Sequence, residues 1–155
     1  MAQVTPKPTT VTGDLLESKA TFLVHQTNCV TTRGRGLSAA MFRRFPQANV
    51  YRQRGPRTPG TVKVIGRVVN LFGQHRPGKA PTPEIRHQRL RWFQQGLEAL
   101  LPIVMAAPNA SVAFPYRIGC GLAGGSWPAY QTVLNKFAAD LGPDHPVYIV
   151  RRRGD

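Results

Sequence analysis

Two segments of this chain repeat one plan: a short apolar, β-branched run breaks into a glycine-bearing loop, and the loop opens into a helical repeat. The first spans Thr21 to Phe45, with the strand signal in Thr21 to Val24, glycines at 34 and 36, and Leu37, Ala40, Met41 and Phe45 at helical spacing on one face. The second starts at Ser111 to Phe114 and passes through four glycines in seven residues, Gly119, Gly121, Gly124 and Gly125. It ends in a helix striped by Tyr130, Val133, Leu134, Phe137, Ala138 and Leu141, stopped by Gly142-Pro143. Strands alternating with helices predict an α/β fold, a three-layer α/β/α sandwich on a central mixed, mostly parallel sheet.

The remaining chain fits that plan. A strand is expected at Thr9 to Thr12, followed by Gly13-Asp14 and a capped turn in which Glu17 stands three residues after Asp14. Phe45-Pro46 closes the first helix, and Gln47 to Arg54 adds a further helical turn. Thr61 to Ile65 and Arg67 to Phe72, hinged at Gly66, read as strands or a bent hairpin. A basic loop, Gly73 to Pro83, leads to a long helix from Glu84. Its stripe is Ile85, Phe93, Leu97, Leu100 and Val104, with Arg86, Arg89 and Arg91 outside it and Trp92 in the core or at its rim. Val147 to Val150 gives a last strand. The 155 residues suit one domain over 1–155, with 1–8 and 151–155 as flexible ends. No apolar run approaches the roughly 20 residues of a membrane span, and the first residues lack a signal-peptide core, so a monomeric intracellular protein, cytoplasmic or nuclear, is expected.

Charge is unevenly placed. The formal net charge is +14, and residues 18 to 83 hold twelve lysines and arginines without one acid. Such a field favours polyanionic partners, RNA or poly(ADP-ribose) among them, or else serves solubility. It surrounds the first glycine loop, where Gly34 and Gly36 let the backbone come close to a ligand and the following helix offers unpaired N–H groups. A Walker loop is excluded, because Gly36-Leu37-Ser38 supplies no Gly-Lys-Ser/Thr. The match of Gly34 to Ala39 to G-x-G-x-x-A lacks the acid a dinucleotide fold places about 20 residues later. Ligands of open α/β sheets sit beyond the carboxyl ends of the strands, where both glycine loops emerge; two nests over one crevice suit a diphosphate.

Cys29 and Cys120 are too few for a disulfide framework, and with His25, His75, His87 and His145 they show no metal-ligand spacing. No metal and no cofactor are expected. Both thiols read as small wall-filling groups, neither with an evident base. His25 is either a group poised for acid–base work or a half-buried strand histidine bonded to backbone. Asp14 either caps its turn or accepts a hydrogen bond from a ligand amine.

Taken together, Gly13-Asp14-Leu15-Leu16, Asn28 ahead of the Gly34/Gly36 loop, and Ile118-Gly119-Cys120-Gly121-Leu122 resemble a macro domain, the ADP-ribose-binding α/β/α module, over nearly the whole chain. The likeness is stronger to the branch with ADP-ribose 1″-phosphate phosphatases and a terminal ADP-ribose glycohydrolase. It implies that Asp14 and the Leu15 amide bind adenine and that Asn28 binds the distal ribose. Gly34, Arg35, Gly36, Leu37 and Ser38 would wrap one phosphate; Ile118, Gly119, Cys120, Gly121, Leu122, Ala123 and Gly124 would wrap the other, with Pro115 a further ligand-binding residue. Val150 or Arg151 would stack on the adenine. The catalytic groups of the hydrolases are not matched: their acids would fall at Ser38 or Ala123, and a lysine near Gln74. What the resemblance leaves is His25, aligned with a histidine of the yeast-type phosphatase, together with Asn28. The implied function is binding of ADP-ribose or an ADP-ribosylated target, with hydrolysis of the 1″-phosphate or of the ADP-ribosyl link; the alternative is a non-catalytic reader of poly(ADP-ribose) or RNA.

Overall fold

The structure, a computed structural model, describes residues 4–121 and 123–155, so the first three residues of the expected lead-in lie outside it. Strands β1 (Thr9–Thr12), β2 (Phe22–Thr27), β3 (Val62–Ile65), β4 (Val68–Phe72), β5 (Val112–Pro115) and β6 (Val147–Arg151) form one sheet in the order β1-β6-β5-β2-β4-β3. All neighbours are parallel except β3 and β4, a hairpin turning at Gly66. The carboxyl ends of β1, β2, β4, β5 and β6 therefore share one edge.

Side-chain alternation along the strands sorts residues into the two outer layers. Val24, Val69, Leu71, Phe114 and Ile149 point to one face, against α2 (Pro83–Met105) and α3 (Trp127–Leu141). Their neighbours Leu23, Val68, Ala113 and Val150 point to the other, against α1 (Leu37–Arg44) and the short 3-10 turn Leu15–Glu17. On the first face Phe93, Leu97, Leu100, Tyr130, Leu134 and Phe137 interlock, with Phe114 edge-on to Phe137 at 5.7 Å. Each such side chain contributes roughly 2 kcal/mol by leaving water.

Three expectations are corrected. The inner face of α1 is Ser38, Met41 and Phe42, with Leu37, Ala40 and Phe45 only half-buried. A polar group beneath the helix is the reason: His25 in β2 bonds Ser38 Oγ at 3.1 Å and meets the Phe42 ring edge-on at 5.1 Å. After Pro46 one 3-10 turn, Pro46–Ala48, replaces the helical turn expected through Arg54. Third, Arg89 is buried on the inner side of α2, while Ile85 is exposed. Trp92 stays at the rim, half-buried. No helix among the described residues is long and apolar enough to cross a membrane.

Candidate functional site

At the carboxyl ends of β2, β4 and β5 lies a crevice of about 990 Å³. Its walls come from three loops: residues 28–36 after β2, 73–82 after β4 and 116–126 after β5.

The first wall is held by side chains from the chain beyond α1. Asn28 Oδ1 accepts hydrogen bonds from the Val30 and Thr31 amides at 3.1 and 2.9 Å, folding the loop back on itself. The Asn28 backbone N–H and Nδ2 both donate to the Tyr51 hydroxyl, at 3.0 and 3.2 Å. Arg57 lies over the Tyr51 ring at 5.3 Å and donates to the Thr31 carbonyl at 2.8 Å. Burial pushes the Tyr51 phenol above its ordinary range. Gly36 then turns the chain into α1 with φ +54, and no side chain caps the helix start, so its first N–H groups are left for the crevice.

Backbone bonds fix the second wall: Ile118 N–H to Pro115 O, Cys120 N–H to Arg117 O and Gly125 N–H to Gly119 O, at 3.1, 2.9 and 2.9 Å. Gly119 has φ +75 and packs against the Tyr130 ring, which any Cβ there would strike. Arg117, lining the crevice, is also left-handed at φ +61, a rare state for a residue with a side chain.

The third wall, Gln74, Pro77, Gly78 and Lys79, is in the sequence only a basic loop. Gln26 Nε2 donates to Gln74 Oε1 at 2.6 Å, and Gln74 Nε2 to Arg76 O at 2.8 Å, so a polar chain anchors this strap to β2. Tyr51 and Lys79 were missed as well. No local pattern marks Tyr51, whereas Lys79 beside Gly78 in a basic loop was a usable signal.

Of the residues the sequence nominated, Asn28, Arg35, Gly36, Leu37, Ser38, Pro115, Ile118, Gly119, Gly121 and Ala123 line the crevice. The others do not. Gly34 lies in an adjoining groove, and its missing Cβ makes room for Ala39 N, which would otherwise be 2.8 Å away. Gly124 is covered by the Lys79 side chain. Cys120 points inward, its thiol donating to Ile118 O at 3.3 Å and raised to about 11 by burial. Asp14 caps its turn, accepting from the Leu16 amide at 2.9 Å, and Leu15 packs in the core; both sit on the same sheet edge but outside the crevice lining. Val150 is buried, and Arg151 lies over the Tyr116 ring at 4.9 Å. Leu122 lies outside the described residues.

His25 requires the largest correction. It is 0 % exposed, with Nδ1 facing Ser38 Oγ and Nε2 2.7 Å from Asn70 Oδ1. With Asn70 Oδ1 accepting, Nε2 carries the proton and Nδ1 accepts from the serine. Desolvation lowers its pKa to about 4, against a smaller opposing effect of the Asn70 bond. It is a neutral strut between sheet and α1 that does not reach the crevice.

Arg33, Arg35, Lys79 and Arg117 line the crevice, and no Asp or Glu does so among the described residues. Low-dielectric walls of one sign focus potential inside a cleft, so the chamber favours an anion. No group of three or more His, Cys, Asp or Glu among the described residues could hold a metal ion.

No family model matches the chain, and no curated protein does. Solved structures do. The macrodomain of Mycobacterium tuberculosis DarG is 24% identical over 94% of this chain and 97% of its own, with a TM-score of 0.76. The macrodomain of Thermus aquaticus DarG is 24% identical over 92% and 96%, at 0.72. Thermosipho africanus DarTG in complex with ADP-ribose is 15% identical, at 0.71, over 95% of this chain but 42% of the longer protein.

Proposed function

The chain has the macrodomain fold, and from that premise we propose that its crevice binds ADP-ribose or an ADP-ribosyl group on a target. One observation carries the reading: two glycine loops about 80 residues apart in the chain converge, with four cations and no acid among the described residues, on one chamber beyond the sheet's carboxyl edge. Backbone N–H groups from the start of α1 and, in the second loop, those of Gly119 and Gly121, which the loop's own bonds among the described residues do not use, are the donors for the diphosphate. Asn28, whose second amide hydrogen is uncommitted, faces the distal ribose. That a protein of this fold is solved in complex with ADP-ribose supports the assignment. Calorimetric titration tests it: ADP-ribose gives saturable binding that ribose 5-phosphate at equal concentration does not. Absence of heat and of any melting shift up to about 1 mM ligand, where even a weak site would fill, refutes it.

For cleavage, His25 is not part of the reading, since it is sealed and neutral. Lys79 is the one lysine on the crevice wall among the described residues and the group to which removal of an ADP-ribosyl group falls. Lys79→Ala would stop release from a modified substrate while leaving ADP-ribose affinity within a few-fold; unchanged release would exclude the lysine.

A second reading, polyanion binding, is favoured by the groove beside the crevice. Arg33, Arg43 and Arg52 line this groove of about 500 Å³, with no acid among the described residues, and it shares Thr32 and Arg33 with the crevice. Affinity for RNA or poly(ADP-ribose) through these side chains would fall steeply with salt by counterion release, whereas monomeric ADP-ribose held by backbone amides would depend on salt far less.

A further inference from the structure

Arg89 is 3 % exposed in the second turn of α2. A buried cation is expected to face a carboxylate; among the described residues this one bonds only to carbonyls. Nη1 donates to Gly78 O at 2.6 Å and Ala123 O at 3.1 Å, Nη2 donates to Arg76 O at 3.2 Å, and Nε is buried without a partner. The three carbonyls belong to two different crevice walls, the 73–82 strap and the second glycine loop. The Ala80 amide also donates to Ala123 O at 3.2 Å, and Lys79 crosses Gly124, so the walls meet where the guanidinium sits. Desolvating a guanidinium without a counter-charge is costly, and an apolar residue at this position would pack against the sheet at less expense. What the arginine adds is a planar fork that reaches several acceptors at once, which a lysine cannot reproduce.

We propose that Arg89 is a positioning residue: by gripping Arg76, Gly78 and Ala123 it fixes the Lys79 strap against the second glycine loop and so sets the width of the crevice. The proposal deepens the ADP-ribose reading and rests on it for its binding readout. The experiment compares wild type, Arg89→Lys, Arg89→Gln and the exposed control Arg91→Gln by ADP-ribose calorimetry and by hydrogen exchange of the free proteins. Losing charged hydrogen bonds that hold a wall weakens ADP-ribose binding about tenfold in Arg89→Lys and Arg89→Gln. Arg91→Gln binds as wild type. Exchange rises in 73–82 and 116–126 and not in the strands. Arg89→Lys keeps the charge and serves if Arg89→Gln does not fold. Wild-type affinity in Arg89→Lys overturns the proposal, as does faster exchange spread evenly over the sheet, the mark of a merely structural role. Should wild type itself bind no ADP-ribose, the functional reading fails, while the exchange pattern still decides whether Arg89 clamps the two walls.

Discussion

Gly121 offers the sharpest test of the crevice. It is exposed on the second wall, its backbone lies outside the left-handed region, and a Cβ built there meets no heavy atom within 4 Å. Alanine therefore fits without strain, and glutamate projects a carboxylate into the space assigned to a diphosphate. With about 5 Å between charges and an effective dielectric near 20, each like-charge pair costs about 3 kcal/mol. That is a loss of about 200-fold in affinity, and more than tenfold remains even if half the repulsion is relieved by Arg35 or Arg117. Calorimetry with ADP-ribose on Gly121→Ala and Gly121→Glu, beside melting curves of the free proteins, gives the comparison. The alanine variant binds within a few-fold of wild type, the glutamate variant binds at least tenfold more weakly, and both melt near wild type. Undiminished binding by Gly121→Glu refutes the placement of the anion. Equal losses in the two variants refute the open space described at this wall.

Gly119 is the opposite case: a side chain there adds left-handed strain of about 1 kcal/mol and pushes into the Tyr130 ring for a further 1–3. Gly119→Ala should lower unfolding free energy by about 2–4 kcal/mol in urea titration, and a change under about 0.5 would contradict the contact. His25 predicts a pH effect on folding. Its folded pKa of about 4 lies below the ordinary 6.5, so as pH falls from 6.5 to 4 the unfolded chain takes up a proton that the folded one refuses. The stability held by the neutral ring is complete above about 6.5 and is lost towards pH 4, roughly 3 kcal/mol in all, so His25→Gln should flatten the profile in that window; identical slopes would count against a neutral buried ring.

The fold was legible because its determinants are local. Apolar, β-branched strand runs, the α3 stripe and Gly142-Pro143 carry their signals within a few residues, and the strands match within about three positions. The face of α1 was not, because an eight-residue helix takes its rotation from what lies beneath it, here His25 and its bond to Ser38. The two glycine loops announced a nest but not what props it. Tyr51 and Arg57 reach Asn28 from more than twenty residues away, and Arg89 looked like a solvated helix face until the strap carbonyls were placed over it. A side chain whose partners are main-chain carbonyls leaves no complementary residue type to find in a sequence.

The parallel topology has a consequence for how such a chain can diverge. Each wall of the chamber leaves the sheet from a strand end, while the apolar contacts that make the chain fold lie on the two broad faces. Loops can thus be rewritten, and ligand preference retuned, with little penalty to the scaffold. The belts that tie loop to loop, from Gln26 to Arg76 and from Arg89 to Ala123, are where tailoring and durability would come into conflict.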